Sequence, residues 1–263
     1  MAAGAAVGLG RAVSGALDLQ EFYDDAYRAS SAEGERFARW RALGAIGKAR
    51  HVQDLCARLG LVPQSVLEVG CGDGALLAEL SSRSFAPSLA GVEISEEAAR
   101  IARSRGLDVT VFDGSRLPFD DGTFDLGVLS HVLEHVPDPR ALLRETARVC
   151  RSIVIEVPLE ANLSARRSAK REGAAEIGHI QSLGREDVHA LVEQAGLRVA
   201  ADLLDSLPAE VHLFFADTPA ARVRARAKAA VRRAVFSASP PLAARLFTLH
   251  YACACVRPSG AAV

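Results

Sequence analysis

Glu68, Glu93 and Asp113 each stand at the end of a short apolar run, and the first is followed by three glycines, Gly70, Gly72 and Gly74. Ser65, Val66, Leu67 and Val69 have the spacing of a buried strand, and Ala75 to Leu80 opens a helix. Between them the glycines permit a tight turn whose backbone N–H groups approach a ligand. The helix N-terminus behind that turn favours electron-rich groups. A carboxylate at the strand mouth accepts hydrogen bonds from an ammonium or a hydroxyl. Together these features describe a site for a nucleotide-like ligand.

The glycines alone leave two families open. Gly70, Gly72 and Ala75 fit the dinucleotide fingerprint, with Glu93 at the distance of a ribose-binding acid, so an NAD(P)-dependent oxidoreductase is one reading. The segments downstream favour another. GVEIS (Gly91 to Ser95) is a second strand ending in Glu93, and VFDGSRLPF (Val111 to Phe119) a third ending in Asp113. FDLGVLSHVLEHVPDP (Phe124 to Pro139) is a fourth strand running into His131, Glu134 and His135. In this order the motifs resemble the class I S-adenosylmethionine-dependent methyltransferases, in particular the small-molecule branch of the ubiquinone/menaquinone-biosynthesis type. The resemblance covers roughly Val66 to Leu204.

That resemblance implies S-adenosylmethionine as cofactor and methyl transfer to a small-molecule oxygen, nitrogen or carbon. It implies that Glu68, Gly70, Cys71 and Gly72 hold the methionine portion and that Glu93, with Ile94 beside it, accepts the ribose hydroxyls. Asp113 and Gly114 would contact the adenine, and Ser130 would flank the methionine moiety. His135 is a candidate general base, because imidazole titrates near neutrality; His179, in a loop before a later helix, is a second candidate. His131 and the pair Tyr23 and Tyr27, in a lid-like N-terminal helix, are candidate lining of the acceptor pocket. Structural roles compete with each of these: strand-end capping for Glu93, turn formation for Asp113, a loop anchor for His179.

The H-x-x-E-H of His131 to His135 is also a zinc-ligand pattern, two histidines at i and i+4 on one helix face. Pro137 and Pro139 follow at once, so no sustained helix is expected there and no metal ligand is assigned. Cys253 and Cys255 share one face of a strand without further ligands nearby, which reads as packing.

These residues need a scaffold, and the rest of the chain supplies its pattern. Strands at 65–70, 88–93, 107–112, 124–130 and 153–157 alternate with helices at 75–83, 96–105 and 139–149. A helix at 185–195 and a strand at 197–204 follow. This alternation predicts a Rossmann-like, doubly wound α/β sheet with helices on both faces and ligands at the carboxyl ends of its strands. The resemblance adds seven strands in the order 3-2-1-4-5-7-6, the last antiparallel. Residues 1–60 read as a flexible start and a helical cap, and 61–263 as the catalytic domain. Gly44 and Gly47 interrupt the helical pattern of 34–59, leaving one kinked helix or two shorter ones. One departure from the family is visible: Cys150, Arg151 and Ser152 replace its usual Pro-Gly-Gly turn before the fifth strand.

The chain has 263 residues, enough for one such domain, with a formal net charge of −1. No global field attracts nucleic acid, and the Pro-Pro-Tyr of amino-methylating DNA enzymes is missing after the fourth strand. Five cysteines without a framework suit a reducing compartment, and no apolar run reaches a membrane span, so a soluble cytoplasmic protein is expected. A helical insertion at 208–250 carries Arg222, Arg224, Arg226, Lys228, Arg232 and Arg233 without an acid between them. On a helix these form two basic stripes, a solvated face or a contact for an anionic substrate, with too little apolar surface for stable membrane insertion. A degenerate cofactor-binding scaffold acting through that helix is the non-enzymatic alternative.

Overall fold

The computed structural model describes residues 16–28, 32–165 and 178–258. The expected flexible start, Met1 to Gly10, lies outside them. Seven strands form one sheet in the order β3-β2-β1-β4-β5-β7-β6. They are β1 (Ser65–Val69), β2 (Ser88–Glu93), β3 (Asp108–Val111), β4 (Phe124–Ser130), β5 (Cys150–Leu159), β6 (Arg198–Asp205) and β7 (Leu249–Val256). All neighbours pair in parallel except β7, which is antiparallel to both β5 and β6. The doubly wound architecture expected from the alternation, and the strand order implied by the resemblance, are those observed.

The helices are α1 (Ala16–Arg28), α2 (Ala32–Leu59), α3 (Ala75–Ser82), α4 (Glu96–Ser104), α5 (Pro139–Val149) and α6 (Arg185–Gln194). The insertion before β7 adds α7 (Ala209–Leu213), α8 (Pro219–Ala238) and α9 (Pro240–Leu246). On one face, α5 and α6 cover Leu67, Leu129, Ile153 and Ile155 with Leu143, Val188 and Val192. On the other, α2 and α3 place Ala49, Val52, Leu55 and Leu80 against Val66, Leu126 and Val154. Central strands buried from both sides read as continuous apolar runs, as β4 and β5 do.

α2 is a single helix of 28 residues. Gly44 and Gly47 have nothing packed where a side chain would stand, so they mark no interruption. The H-x-x-E-H segment makes only a 3₁₀ turn, Leu133–His135, which Pro139 at the start of α5 follows. Sγ of Cys253 and Cys255 lie 3.7 Å apart in the core, a packing role.

The basic insertion departs from its expected pattern. Arg222, Arg224, Arg226, Lys228 and Arg233 are exposed, but Arg232 is buried. It donates to the Thr248 carbonyl and lies 4.9 Å over the Phe247 ring. The stripe of Arg224, Lys228 and Arg232 is therefore broken: Arg232 faces Phe247 and Thr248 at the entry to β7, not the solvent. No described helix is long and apolar enough to cross a membrane.

Candidate active site

The parallel strands deliver their carboxyl ends to one edge, where Glu68, Glu93, Ser130 and Glu156 are all buried. Gly70 and Gly72 have φ of +71° and +55°, and a Cβ on Gly72 would stand 2.6 Å from Tyr27 Oη. Only glycine adopts this backbone without strain, and only glycine leaves room for the α1 tyrosine.

The amides of this turn are engaged within the protein. Gly70 and Cys71 N–H donate to the Val92 carbonyl at 2.8 and 3.1 Å, and Gly74 N–H to the Cys71 carbonyl at 2.9 Å. Gly72 N–H donates to Glu93 Oε2 at 2.7 Å. The sequence reading aimed these amides at a ligand; in the structure they fasten the turn to β2. Cys71 packs its sulfur against Gly91, and burial pushes its thiol pKa up.

Side chains are what the turn leaves for a ligand. Glu68 is 4% exposed, and its Oε2 has no hydrogen-bond partner among the described residues. Burial pushes its pKa up to about 8; Lys48 pulls it down, while Glu93 and Asp73 add to the rise. Ser130 Oγ is likewise buried and unpartnered among the described residues. Glu93 accepts from Gly72, Ile94 and Ser95 N–H at 2.7, 3.0 and 3.1 Å. A carboxylate has about four acceptor positions, so about one is left for a ligand hydroxyl. Burial raises the Glu93 pKa against these three bonds. Asp113 is exposed and folds onto its own turn, with Oδ1 accepting from Ser115 N–H, Ser115 Oγ and Arg116 N–H. These bonds hold its pKa low, and Gly114 (φ +80°) completes that turn.

α1 closes over this edge. Asp24 Oδ1 accepts from Ser95 Oγ at 2.6 Å and from Glu97 N–H at 3.2 Å, tying α1 to the N-terminus of α4. Tyr23, just before Asp24, and Tyr27, one turn after it, point inward; burial raises both phenol pKa values. Tyr27 carries Arg41 4.8 Å over its ring, and Arg41 pairs with Asp73.

Tyr23 Oη lies 2.7 Å from His135 Nδ1, which is also 3.0 Å from the Gly178 carbonyl. Only a protonated Nδ1 serves that carbonyl, so a neutral His135 keeps its lone pair at Nε2. Burial lowers the His135 pKa to about 4, and nearby His179 adds to the fall against Glu134. The His135 and His179 rings meet edge to face at 4.6 Å, and His179 Nδ1 is 2.9 Å from Glu160 Oε2. Each histidine is held by a neighbour in the fold, His135 by Tyr23 and Gly178 and His179 by Glu160.

Further residues complete the edge without any local sequence signal. Glu156, in β5, faces His51 of α2 at 3.1 Å, His250 of β7 at 2.9 Å and His131 at 3.7 Å. Burial opposes its charge, but these imidazoles hold its pKa well below the usual carboxylate range. His51 bridges onward to Asp205 at 3.2 Å, and its pKa rises to about 9: the two carboxylates overcome its burial. His131 has φ +59°, a conformation that costs a non-glycine residue about 1–3 kcal/mol, and its N–H donates to the Glu156 carbonyl at 2.8 Å. The register explains the gathering: Ser130 lies opposite Glu156, and His250 lies between Pro158 and Asp205.

Comparison with known proteins gives this geometry a family. The methyltransferase domain family matches residues 35–201. A ubiquinone biosynthesis O-methyltransferase of Xanthomonas oryzae is 36% identical over 100 residues, which cover 35% of this chain and 41% of that protein. The methyltransferase GfsG of Streptomyces halstedii is 29% identical over 210 residues, covering 72% of this chain and 74% of GfsG. Geranyl diphosphate C-methyltransferase of Streptomyces coelicolor, solved with Mg²⁺, geranyl diphosphate and S-adenosyl-L-homocysteine, superposes with a TM-score of 0.63 at 14% identity. That match covers 92% of this chain and 98% of the solved one, a likeness of fold. With more than half its length matched and the seven-stranded sheet in place, the chain belongs to the methyltransferase domain family.

Proposed function

We propose that the protein transfers a methyl group from S-adenosylmethionine to a small-molecule oxygen, nitrogen or carbon. The observation that carries this reading is the pair Glu68 Oε2 and Ser130 Oγ. Both are buried at the strand edge beside the glycine turn, without partners among the described residues. A buried polar atom left unpaired costs about 1–3 kcal/mol, so a ligand bearing an ammonium and a carboxylate repays both groups on binding.

When bound, the cofactor supplies a methyl already activated on sulfur, and the protein's part is holding, orienting and excluding water. Glu68 and Ser130 hold the amino-acid end. Glu93 offers its remaining acceptor position to a ribose hydroxyl, and Asp113 and Gly114 border the adenine. Tyr23 and Tyr27 close α1 over the pocket, and His131, His135 and His179 line its acceptor side. His135 Nε2 is the unprotonated nitrogen there, placed to take a proton from an acceptor. The names of the relatives, a ubiquinone-biosynthesis O-methyltransferase among them, support a small-molecule acceptor. The exposed arginines of α8 support an anionic one, and the net charge of −1 supports no nucleic-acid partner. Five buried, unpaired cysteines suit a reducing, cytoplasmic setting.

Calorimetry with S-adenosylhomocysteine and NAD(H) tests the reading. Micromolar binding of the first alone supports it; binding of NAD(H) alone transfers the site to the oxidoreductase reading. Binding of neither leaves a scaffold.

A further inference from the structure

We propose that His131, Glu156 and His250 form a site for a divalent first-row transition metal, and that the methyl acceptor is a molecule whose hydroxyl or carboxyl oxygen ligates that metal. The sequence pattern pairs His131 with His135; the fold instead pairs it with Glu156 and His250. One ligand atom from each of the three lies within 4.8 Å of the other two. His250 Nδ1 is 2.9 Å and His131 Nε2 3.7 Å from Glu156 Oε1. Ligands about 2.0–2.2 Å from one ion stand about 3.0–3.5 Å apart, so small side-chain rotations close the set.

Two further observations aim the ligands. His131 Nε2 is buried and unpartnered among the described residues, while the opposite nitrogen, Nδ1, faces Glu134 Oε1 at 3.3 Å. A carboxylate behind one ring nitrogen fixes the tautomer and presents the other to a metal. Glu134 is 1% exposed, and neither of its oxygens has good hydrogen-bond geometry with any described residue. Glu156 is backed in the same way: His51 holds its Oε2 at 3.1 Å and is itself held by Asp205 at 3.2 Å.

Charge and access agree with a cation and a coordinated acceptor. Glu134, Glu156 and Asp205 surround the cluster, against His51 and the more distant Lys48, whose field reaches both His131 and His250. The side chains of His131 and His250 remain 21% and 15% exposed, so the cluster lies close to the surface of the strand edge, with His131 Nε2 itself covered. Two imidazoles and one carboxylate suit zinc, cobalt, nickel or ferrous iron and leave coordination positions open for the acceptor.

The metal site stands on these residues alone, whereas its use by an acceptor rests on the methyltransferase reading. The test is titration of Co²⁺ and Zn²⁺ into the chelator-treated full-length chain, following visible Co²⁺ absorption and heat. One tight equivalent with bands of nitrogen and oxygen ligation is expected. His131→Ala and His250→Ala should each abolish it, and Glu134→Gln should weaken it about 10–100-fold. No stoichiometric binding to the wild-type chain, thiolate-type bands, or binding unchanged in both folded histidine variants would overturn the site. S-adenosylhomocysteine is titrated into the same samples. Cofactor binding without cobalt binding sinks the metal and spares the methyltransferase reading; cobalt binding without cofactor binding sinks the acceptor's part and spares the metal.

Discussion

Tyr27 Oη occupies the space a side chain on Gly72 would need, 2.6 Å from that missing Cβ. The turn and the lid are therefore matched to each other. Gly72→Ala must meet both a left-handed backbone (φ +55°) and the phenol. It should cost about 1–2 kcal/mol for the backbone alone and more for the clash. Adding Tyr27→Phe removes the atom in the way and should restore the second part but not the first. Thermal unfolding of the single and double variants separates the two; equal stabilities would show that Tyr27 does not sit on Gly72.

The carboxyl of Glu68 has a pKa near 8 in the free protein, above its ordinary 4.5. Its effect on folding follows from that sign. The folded state binds the extra proton, so this group's cost is absent below about pH 4.5 and grows as pH rises toward 8. Glu68→Gln should therefore flatten the loss of stability over that interval. An ammonium beside Glu68 favours the charged form, so cofactor binding near pH 7 should release a proton. Calorimetry in buffers of different ionisation heat reads that release directly. It should vanish in Glu68→Gln, and a wild-type chain that releases none would remove Glu68 from the binding site.

His135 is held neutral, its pKa near 4, by burial and by neighbouring His179. If its Nε2 takes the acceptor's proton, the acid limb of the rate profile should lie near pH 4 and not near the ordinary imidazole value of about 6.5. His135→Ala should remove that limb, while Tyr23→Phe, which deletes the 2.7 Å contact to Nδ1, should shift it with little change in cofactor affinity. A limb near pH 6.5 that survives His135→Ala would assign the base elsewhere.

Arg232 and Arg233 are neighbours with opposite surroundings, one buried against Thr248 and Phe247, the other in solvent. Arg232→Ala should destabilise the fold by about 1.5–3 kcal/mol, the range for a hydrogen bond to a charged group. Arg233→Ala should change stability by less than about 0.5 kcal/mol. Chemical denaturation of the two variants decides, and equal effects would return Arg232 to the solvated stripe.

What the sequence disclosed here was what repeats locally. Glu68, Glu93 and Asp113 stand at or just past the ends of β1, β2 and β3, so within their own segments they declared the strand ends and one rim of the sheet. Gly70 and Gly72 declared the turn. The destinations of the turn amides were not legible, because Val92 and Glu93 lie about twenty residues away and only the β1–β2 register brings them there. The ring of histidines around Glu156 was still less so. His51, Glu156 and His250 come from α2, β5 and β7, separated by 105 and 94 residues, and no spacing rule spans such distances. Arg232 shows the same limit: helical periodicity assigns a side to a residue, but only packing tells which side is covered.

β7 runs against its neighbours, and this reversal divides the labour of the domain. A parallel last strand would begin at the far rim; an antiparallel one begins at the rim that carries Glu68, Glu93 and Ser130, with His250 in its second position. On the proposed reading, the segment α7–α9 leads directly to the acceptor side through His250, whereas Glu68, Gly72 and Glu93, proposed for the cofactor, all come from the first half of the chain. That reading makes the insertion an exchangeable tool head on a fixed handle, with β7 as the socket between them.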